Sequence, residues 1–249
     1  MSGRQGTTVH ERVQLQGNAG CLATHLYLPE GRPPFPAVIL CHGLTSSKEN
    51  YADLAQFLQG QGFVALAFDC RGHGESDGGL DGLAWQDVGT ALAYLRTRPE
   101  VDAGRIGAVG ASMGAHNALC AAAEHPELRT VVALCTASEI TIEYGLLDPE
   151  HWREIQQSGG QVRVTLPDYL TYLEKHNIYQ VVARIRPRPV FFIHARDDEI
   201  VPFSVSERLH AQAGDGSRLW LLDGGGHRGP RHDPQVMQAI AEWLREKLT

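Results

Sequence analysis

The chain has 249 residues, 43% hydrophobic and 20% charged, with 27 Gly and 13 Pro. That apolar content excludes a disordered chain, and the glycines show no collagen-like period. The length fits one large domain carrying an insertion, and a chain of this size buries roughly 70–75% of its unfolded surface without needing disulfides or a structural metal.

The net charge of -7 argues against nucleic acid as a partner, because phosphate binding needs clustered Lys and Arg. Arg outnumbers Lys 19 to 3, but the arginines are scattered rather than massed into a patch. No apolar run reaches the length of a membrane span. The opening MSGRQGTTVHERVQ has no apolar stretch that would serve as a signal peptide, so a cytoplasmic protein is the expectation. The five cysteines (21, 41, 70, 120 and 135) form no CxxC or CxxH spacing, which removes zinc and thioredoxin-like readings. Most lie in apolar runs where a thiol acts as a small buried hydrophobe, with one disulfide between strand ends left open.

In chain order, Val9 to Leu15 and Cys21 to Leu28 alternate apolar and polar residues around an Asn18-Ala-Gly20 turn, the pattern of an antiparallel hairpin. After a connector from Pro29 to Pro36, the strand signals change to continuous apolar runs at 37–41, 63–68, 106–109, 131–134, 190–193 and 219–222. Runs of that kind are strands covered on both faces, as in parallel sheets. Helical periodicity falls between them at 51–59, 83–96, 114–124, 205–212 and 234–247. This alternation predicts an α/β architecture: a mostly parallel central sheet with an antiparallel N-terminal hairpin and helices on both faces.

The rhythm breaks between about 137 and 186, some fifty residues without a buried strand. A structureless loop of that length is improbable in a compact domain. The stretch holds Tyr144, Tyr169, Tyr172, Tyr179 and Trp152, with helix-like pieces at 167–176 and 178–184. It is expected to be a cap inserted into a single domain spanning 1–249. Its aromatics would face a pocket, form the insert's own small core, or do both.

Gly110-Ala-Ser112-Met-Gly114 follows one predicted strand and opens a predicted helix, so G-x-S-x-G stands in its meaningful context of strand, sharp turn and helix. The turn lifts the Ser112 hydroxyl clear of the sheet, and glycines on either side remove side chains that would collide with the crossing elements. A serine nucleophile on such an elbow is followed along the chain by an acid and then a histidine. Asp197, Asp198 and Glu199 compete for the acid role just past the strand at 190–193. His227, directly after the strand at 219–222 and a run of three glycines, is favoured as base over His232, which adjoins the helix start at Asp233-Pro234. Two backbone amides would hold an oxyanion: Met113 after the nucleophile, and Leu44 in the His42-Gly43-Leu44-Thr45 loop. His116, four residues after Ser112, points away from a bound acyl group and is read as structural. There is no HExxH and no carboxylate cluster, so neither a metal nor a cofactor is expected.

These residues resemble the α/β-hydrolases over nearly the whole chain. His42-Gly43 and Gly110 to Gly114 match that family's oxyanion and elbow motifs, and Asp69-Cys-Arg-Gly-His-Gly-Glu-Ser76 matches its D-x-R-G-x-G-x-S loop. Asp198-Glu-Ile-Val-Pro202 matches D-x-x-V-P, which selects Asp198 among the three acids, and Gly226-His227 matches the terminal histidine motif. In the 69–76 loop, Asp69 and Arg71 are expected to brace each other and His73 to be a loop residue. Within the superfamily the 42–49 and 71–78 segments look most like bacterial carboxylesterases of the cinnamoyl/feruloyl type. Monoacylglycerol lipases and serine aminopeptidases share parts of the pattern. The absence of His-Gly-Gly-Gly argues against the hormone-sensitive-lipase branch, and serine at the elbow against dehalogenases, epoxide hydrolases and dienelactone hydrolases. The resemblance implies a Ser112–His227–Asp198 triad acting on a small-molecule ester. A peptidase or thioesterase is the alternative, and a non-catalytic binding protein on the same fold the remote one.

Overall fold

The computed structural model describes residues 10–138, 153, 163 and 165–248. Eight strands form one sheet: β1 His10–Gly17, β2 Gly20–Tyr27, β3 Phe35–Cys41, β4 Val64–Phe68, β5 Val101–Ala111, β6 Leu128–Leu134, β7 Val190–Ala195 and β8 Arg218–Leu222. Their order is β1-β2-β4-β3-β5-β6-β7-β8. The hairpin β1–β2 is antiparallel and β2 joins β4 antiparallel, whereas every pair from β4 across to β8 is parallel. This is the α/β architecture that the alternation predicts, a mostly parallel sheet with an antiparallel N-terminal hairpin. β5 begins five residues before its predicted apolar run, because Val101 already pairs with Phe35 ahead of an irregularity that takes in the polar stretch Asp102–Arg105.

Seven α-helices accompany the sheet among the described residues: α1 Ala52–Gly60, α2 Gln86–Leu95, α3 Met113–Glu124, α4 Leu166–Lys175, α5 Ile178–Ile185, α6 Ser204–Gln212 and α7 Pro234–Lys247. Side chains alternate along a strand, so each central strand feeds two cores. Ala37, Ile39 and Cys41 of β3 join the core built with α2, α3, α5 and α6, while Val38 and Leu40 join the core built with α1 and α7. α7 starts where Asp233 caps it, its carboxylate accepting the Gln235 N–H at 2.7 Å, with Pro234 at the first helical position. None of the described helices is long and apolar enough to cross a membrane. All five cysteines are free thiols, so the disulfide left open by the sequence does not form.

The two helix-like pieces expected after 137 are α4 and α5. Tyr172 of α4 is fully buried and its hydroxyl donates to Asn117 Oδ1 of α3 at 2.7 Å, so this aromatic belongs to the main core. Tyr144 and Trp152 lie outside the described residues.

The 69–76 loop departs from its expected internal brace. Asp69 does not pair with Arg71. Its carboxylate receives the Lys48 backbone N–H and the Lys48 ammonium, both at 2.8 Å, and the Glu75 N–H at 3.0 Å. Arg71 instead donates to Asp87 at the start of α2, through Nη2 at 2.7 Å and Nε at 3.0 Å, and to Asp81 at 3.1 Å. Two residues of one tight loop point their side chains to opposite sides, so each reaches a separate element. The loop thereby ties the segment after β3 to the one before α2. Lys48 and Asp69 are both buried, and removing the cation leaves an uncompensated carboxylate. Lys48→Met is expected to cost about 3–5 kcal/mol in urea unfolding.

Candidate active site

Strand register sets the site. Cys41 of β3 lies opposite Gly110 of β5, and Ala111 lies opposite Leu134 of β6. The residues leaving β3 and β5 therefore emerge side by side at one end of the sheet. Ser112 adopts φ 54°, ψ -119°, a left-handed conformation that a residue with a side chain occupies only under constraint. Its amide donates to Leu134 O at 2.9 Å and its carbonyl accepts from Ala137 and His116, which lock the elbow. The flanking glycines are steric necessities. A Cβ on Gly114 would overlap the Cys41 carbonyl, and one on Gly110 would overlap the Gly114 carbonyl. Gly43 is less constrained, since a Cβ there would only touch Ala111 O at 3.4 Å and Ser112 Cβ at 3.5 Å.

Met113 is the first residue of α3, where a helix N–H has no acceptor within the helix and the helix dipole is positive. The Leu44 segment facing it is held by two buried histidines. His42 Nε2 accepts the Cys70 N–H at 2.9 Å, which leaves the ring proton on Nδ1, 2.8 Å from Gly43 O. Burial, with help from neighbouring His73, pushes His42 down to about 4, so it stays neutral at physiological pH. His73 Nε2 lies 2.8 Å from Leu44 O, so this loop histidine buttresses the Leu44 segment.

The three adjacent acids do three different things. Asp198 faces His227 Nδ1 at 2.9 Å through Oδ2 and 3.1 Å through Oδ1. Asp197 accepts the Gly226 N–H at 2.9 Å, and Glu199 accepts the His227 N–H at 3.1 Å. Both thus shape the glycine loop that carries the imidazole. Burial would raise the Asp198 carboxyl, but hydrogen bonds from His194, His227 and the Val201 N–H outweigh it and hold the group well below the usual carboxylate range. The rival His232 pairs with Asp53 at 2.9 Å instead. His116 is buried, with Nδ1 3.1 Å from Ala137 O, consistent with a structural post behind the elbow.

A cavity of about 560 Å³ opens over this constellation, with Leu44, Ser112, Leu134, Tyr169, Val201 and His227 among its walls. Ser112, Leu44 and His227 line one space, with Asp198 behind the imidazole. Tyr51 and Arg231 also line it, the guanidinium stacked 4.7 Å over the phenol ring. Sequence reasoning missed that pair, since nothing local marks it as part of the site. His194 escaped notice for the same reason, although it begins the segment that supplies the three acids.

A family model described as serine aminopeptidase, S33 matches residues 32–167. The protein MT2364 of Mycobacterium tuberculosis is 32% identical over 215 residues, spanning 85% of this chain and 70% of that protein. The esterase YjfP of Escherichia coli is 26% identical over 229 residues, spanning 86% of this chain and 90% of its own length. Among solved structures, Est1E from Butyrivibrio proteoclasticus with ferulic acid bound superposes with a TM-score of 0.75 at 20% identity, covering 94% of this chain and 98% of that one, a likeness of fold. The sheet order, the strained serine elbow and the family match fall on one chain, and that chain belongs to the α/β-hydrolase family described as serine aminopeptidase S33.

Proposed function

We propose that the protein is a serine hydrolase that cleaves carboxylic esters through an acyl-enzyme. The observation that carries this reading is the strained Ser112 elbow sharing one cavity with an imidazole whose Nδ1 is engaged by Asp198. A carboxylate on Nδ1 keeps the ring proton there and leaves Nε2 free as a base. His227 then takes the proton of Ser112 Oγ as the oxygen attacks the ester carbonyl. The resulting oxyanion is held by the amides of Leu44 and Met113. His227 next protonates the departing alcohol, and water releases the acid by the same steps in reverse. Asp198 fixes the tautomer and stabilises the imidazolium.

Residues 137–186 are the proposed cap over this cavity, and Ala137 and Tyr169 from this stretch line the wall. Phenol and aliphatic side chains around the serine suit a small to medium acyl or aryl group. The name of the relative YjfP supports the ester reading. The description of the family model favours a second one, hydrolysis of peptides from their N-terminus, since the same triad serves amides. Rates on matched p-nitrophenyl esters and aminoacyl p-nitroanilides separate the two.

Ser112→Ala is expected to lower ester turnover by roughly 10⁴–10⁶-fold and to abolish fluorophosphonate labelling, with an unchanged circular dichroism spectrum. Undiminished turnover in that variant would overturn the assignment. Asp198 also makes a pH-dependent contribution to stability. Its folded value is depressed, so the contribution is complete above its unfolded value, about 4, and is lost as the pH falls toward the folded one. The stability difference between the wild type and Asp198→Asn, followed by urea unfolding, should therefore shrink on acidification below about pH 4.

A further inference from the structure

Asp198 is shared between two histidines. On the opposite side from His227, His194 at the end of β7 places Nε2 3.0 Å from Asp198 Oδ2 and 2.9 Å from Val201 O. Both neighbours are acceptors only, so Nε2 carries the proton. In the neutral ring Nδ1 is then an acceptor, and Ser206 Oγ donates to it at 2.7 Å. His194 and Ser206 are both completely buried, so this chain of Ser206, His194 and Asp198 is sealed from water. Oδ1 of the same carboxylate receives the Ile200 and Val201 N–H groups at 2.9 and 2.8 Å. Oδ2 is the oxygen nearer to His227, and it is also the one His194 occupies.

We propose that His194 is a positioning residue: it fixes the plane of the Asp198 carboxylate and, by drawing charge from Oδ2, tempers the pull of that oxygen on His227. The proposal rests on the triad reading above. Its physical content is a competition. Two N–H donors on one carboxylate oxygen each weaken the other, because the first lowers the negative charge available to the second. A backbone-only clamp on Oδ1 would leave the carboxylate able to rock about that bond, and the His194 contact removes this freedom. The third neighbour of the carboxylate is Cys135, after β6, which is held at φ 45°. Its sulfur lies within 4.8 Å of both the Asp198 and His227 ligand atoms. Around His227 itself the charged groups are Asp198, Glu199 on its N–H, and the adjoining Arg228. The Cys135 thiol is a further hydrogen-bond partner of the Asp198 carboxylate, and His194 supplies a ring N–H to Oδ2 from the end of β7.

The test is the pH dependence of kcat/KM for p-nitrophenyl butyrate between about pH 5 and pH 9, normalised to active sites counted by fluorophosphonate labelling. Wild type is compared with His194→Gln, His194→Leu and Ser206→Ala. Gln keeps an N–H donor and should retain the wild-type acid limb. Leu removes the donor, makes Oδ2 a stronger acceptor for His227, and should move the acid limb upward by about half to one pH unit. The same variant should lose roughly tenfold in kcat at unchanged KM, the fold-change set by one hydrogen bond to a charged group. Ser206→Ala weakens the donor without removing it and should move the limb the same way by less. A purely structural role would reduce the count of labelled sites and leave the limb in place. An unshifted limb per labelled site in His194→Leu overturns the proposal. If that variant does not fold, an unshifted limb in Ser206→Ala does the same. A wild type without Ser112-dependent turnover overturns the triad reading and this proposal together, a result distinct from an active enzyme with an unmoved limb.

Discussion

The close crossing of α3 over the ends of β3 and β5 is the constraint on which the site depends. At that crossing the Gly114 backbone lies against the Cys41 carbonyl with no room for a methyl group, and Gly110 lies against Gly114 in the same way. Only this approach brings the first turn of α3 directly over the sheet edge, and it obliges Ser112 to take a left-handed backbone. The strain is held by ordinary means. Ser112 is hydrogen bonded through both its amide and its carbonyl to the neighbouring strand end, and the following helix is almost wholly buried. A strained residue persists where surrounding packing over-determines it, and here two hydrophobic cores clamp the strand from both faces.

Buried charge does a second kind of work, fixing loops that carry no regular structure. Lys48 and Asp69 connect the segment after β3 to the segment after β4, and Arg71 and Asp87 connect the latter to α2. Such pairs contribute little net stability, because desolvation offsets most of the attraction. Their geometry is specific, though, and an unpaired member would be costly. The same logic governs Asp198, which sits among donors from β7, from its own loop and from the loop after β8. Burial pushes the Asp87 carboxyl up despite Arg71, whereas Asp198 is held down by its donors. Burial and the nearby Asp81 charge prevail at Asp87, whereas the donors around Asp198 prevail over its burial.

Much of the fold was legible because it rests on short-range patterns. Continuous apolar runs marked the parallel strands, since both faces of β3, β5, β6 and β7 are covered. Alternation marked the hairpin, since β1 has one exposed face. The elbow was legible because strand, G-x-S-x-G and helix are contiguous. Helical periodicity starts at 83, ahead of the observed start of α2 at Gln86, because a tight turn over 82–85 has the composition of a helix start. Proximity in sequence points Asp69 to Arg71, while its partner Lys48 is 21 residues away.

The sequence by itself determined what depends on neighbours along the chain: the strand and helix pattern, the glycines that a serine elbow requires, and the presence of an acid and a histidine after later strands. It left Asp197, Asp198 and Glu199 equal in chemistry, and only the family pattern chose among them. Tertiary structure decided what each acid meets, a glycine amide, an imidazole or the imidazole's own backbone. It also revealed that His194 and His227, far apart in sequence, share one carboxylate oxygen. The physical reason is range. Steric and hydrophobic preferences act between residues a few positions apart and leave a periodic trace. Charge and hydrogen bonding act through space, and their partners exist only once the sheet has brought the strand ends together.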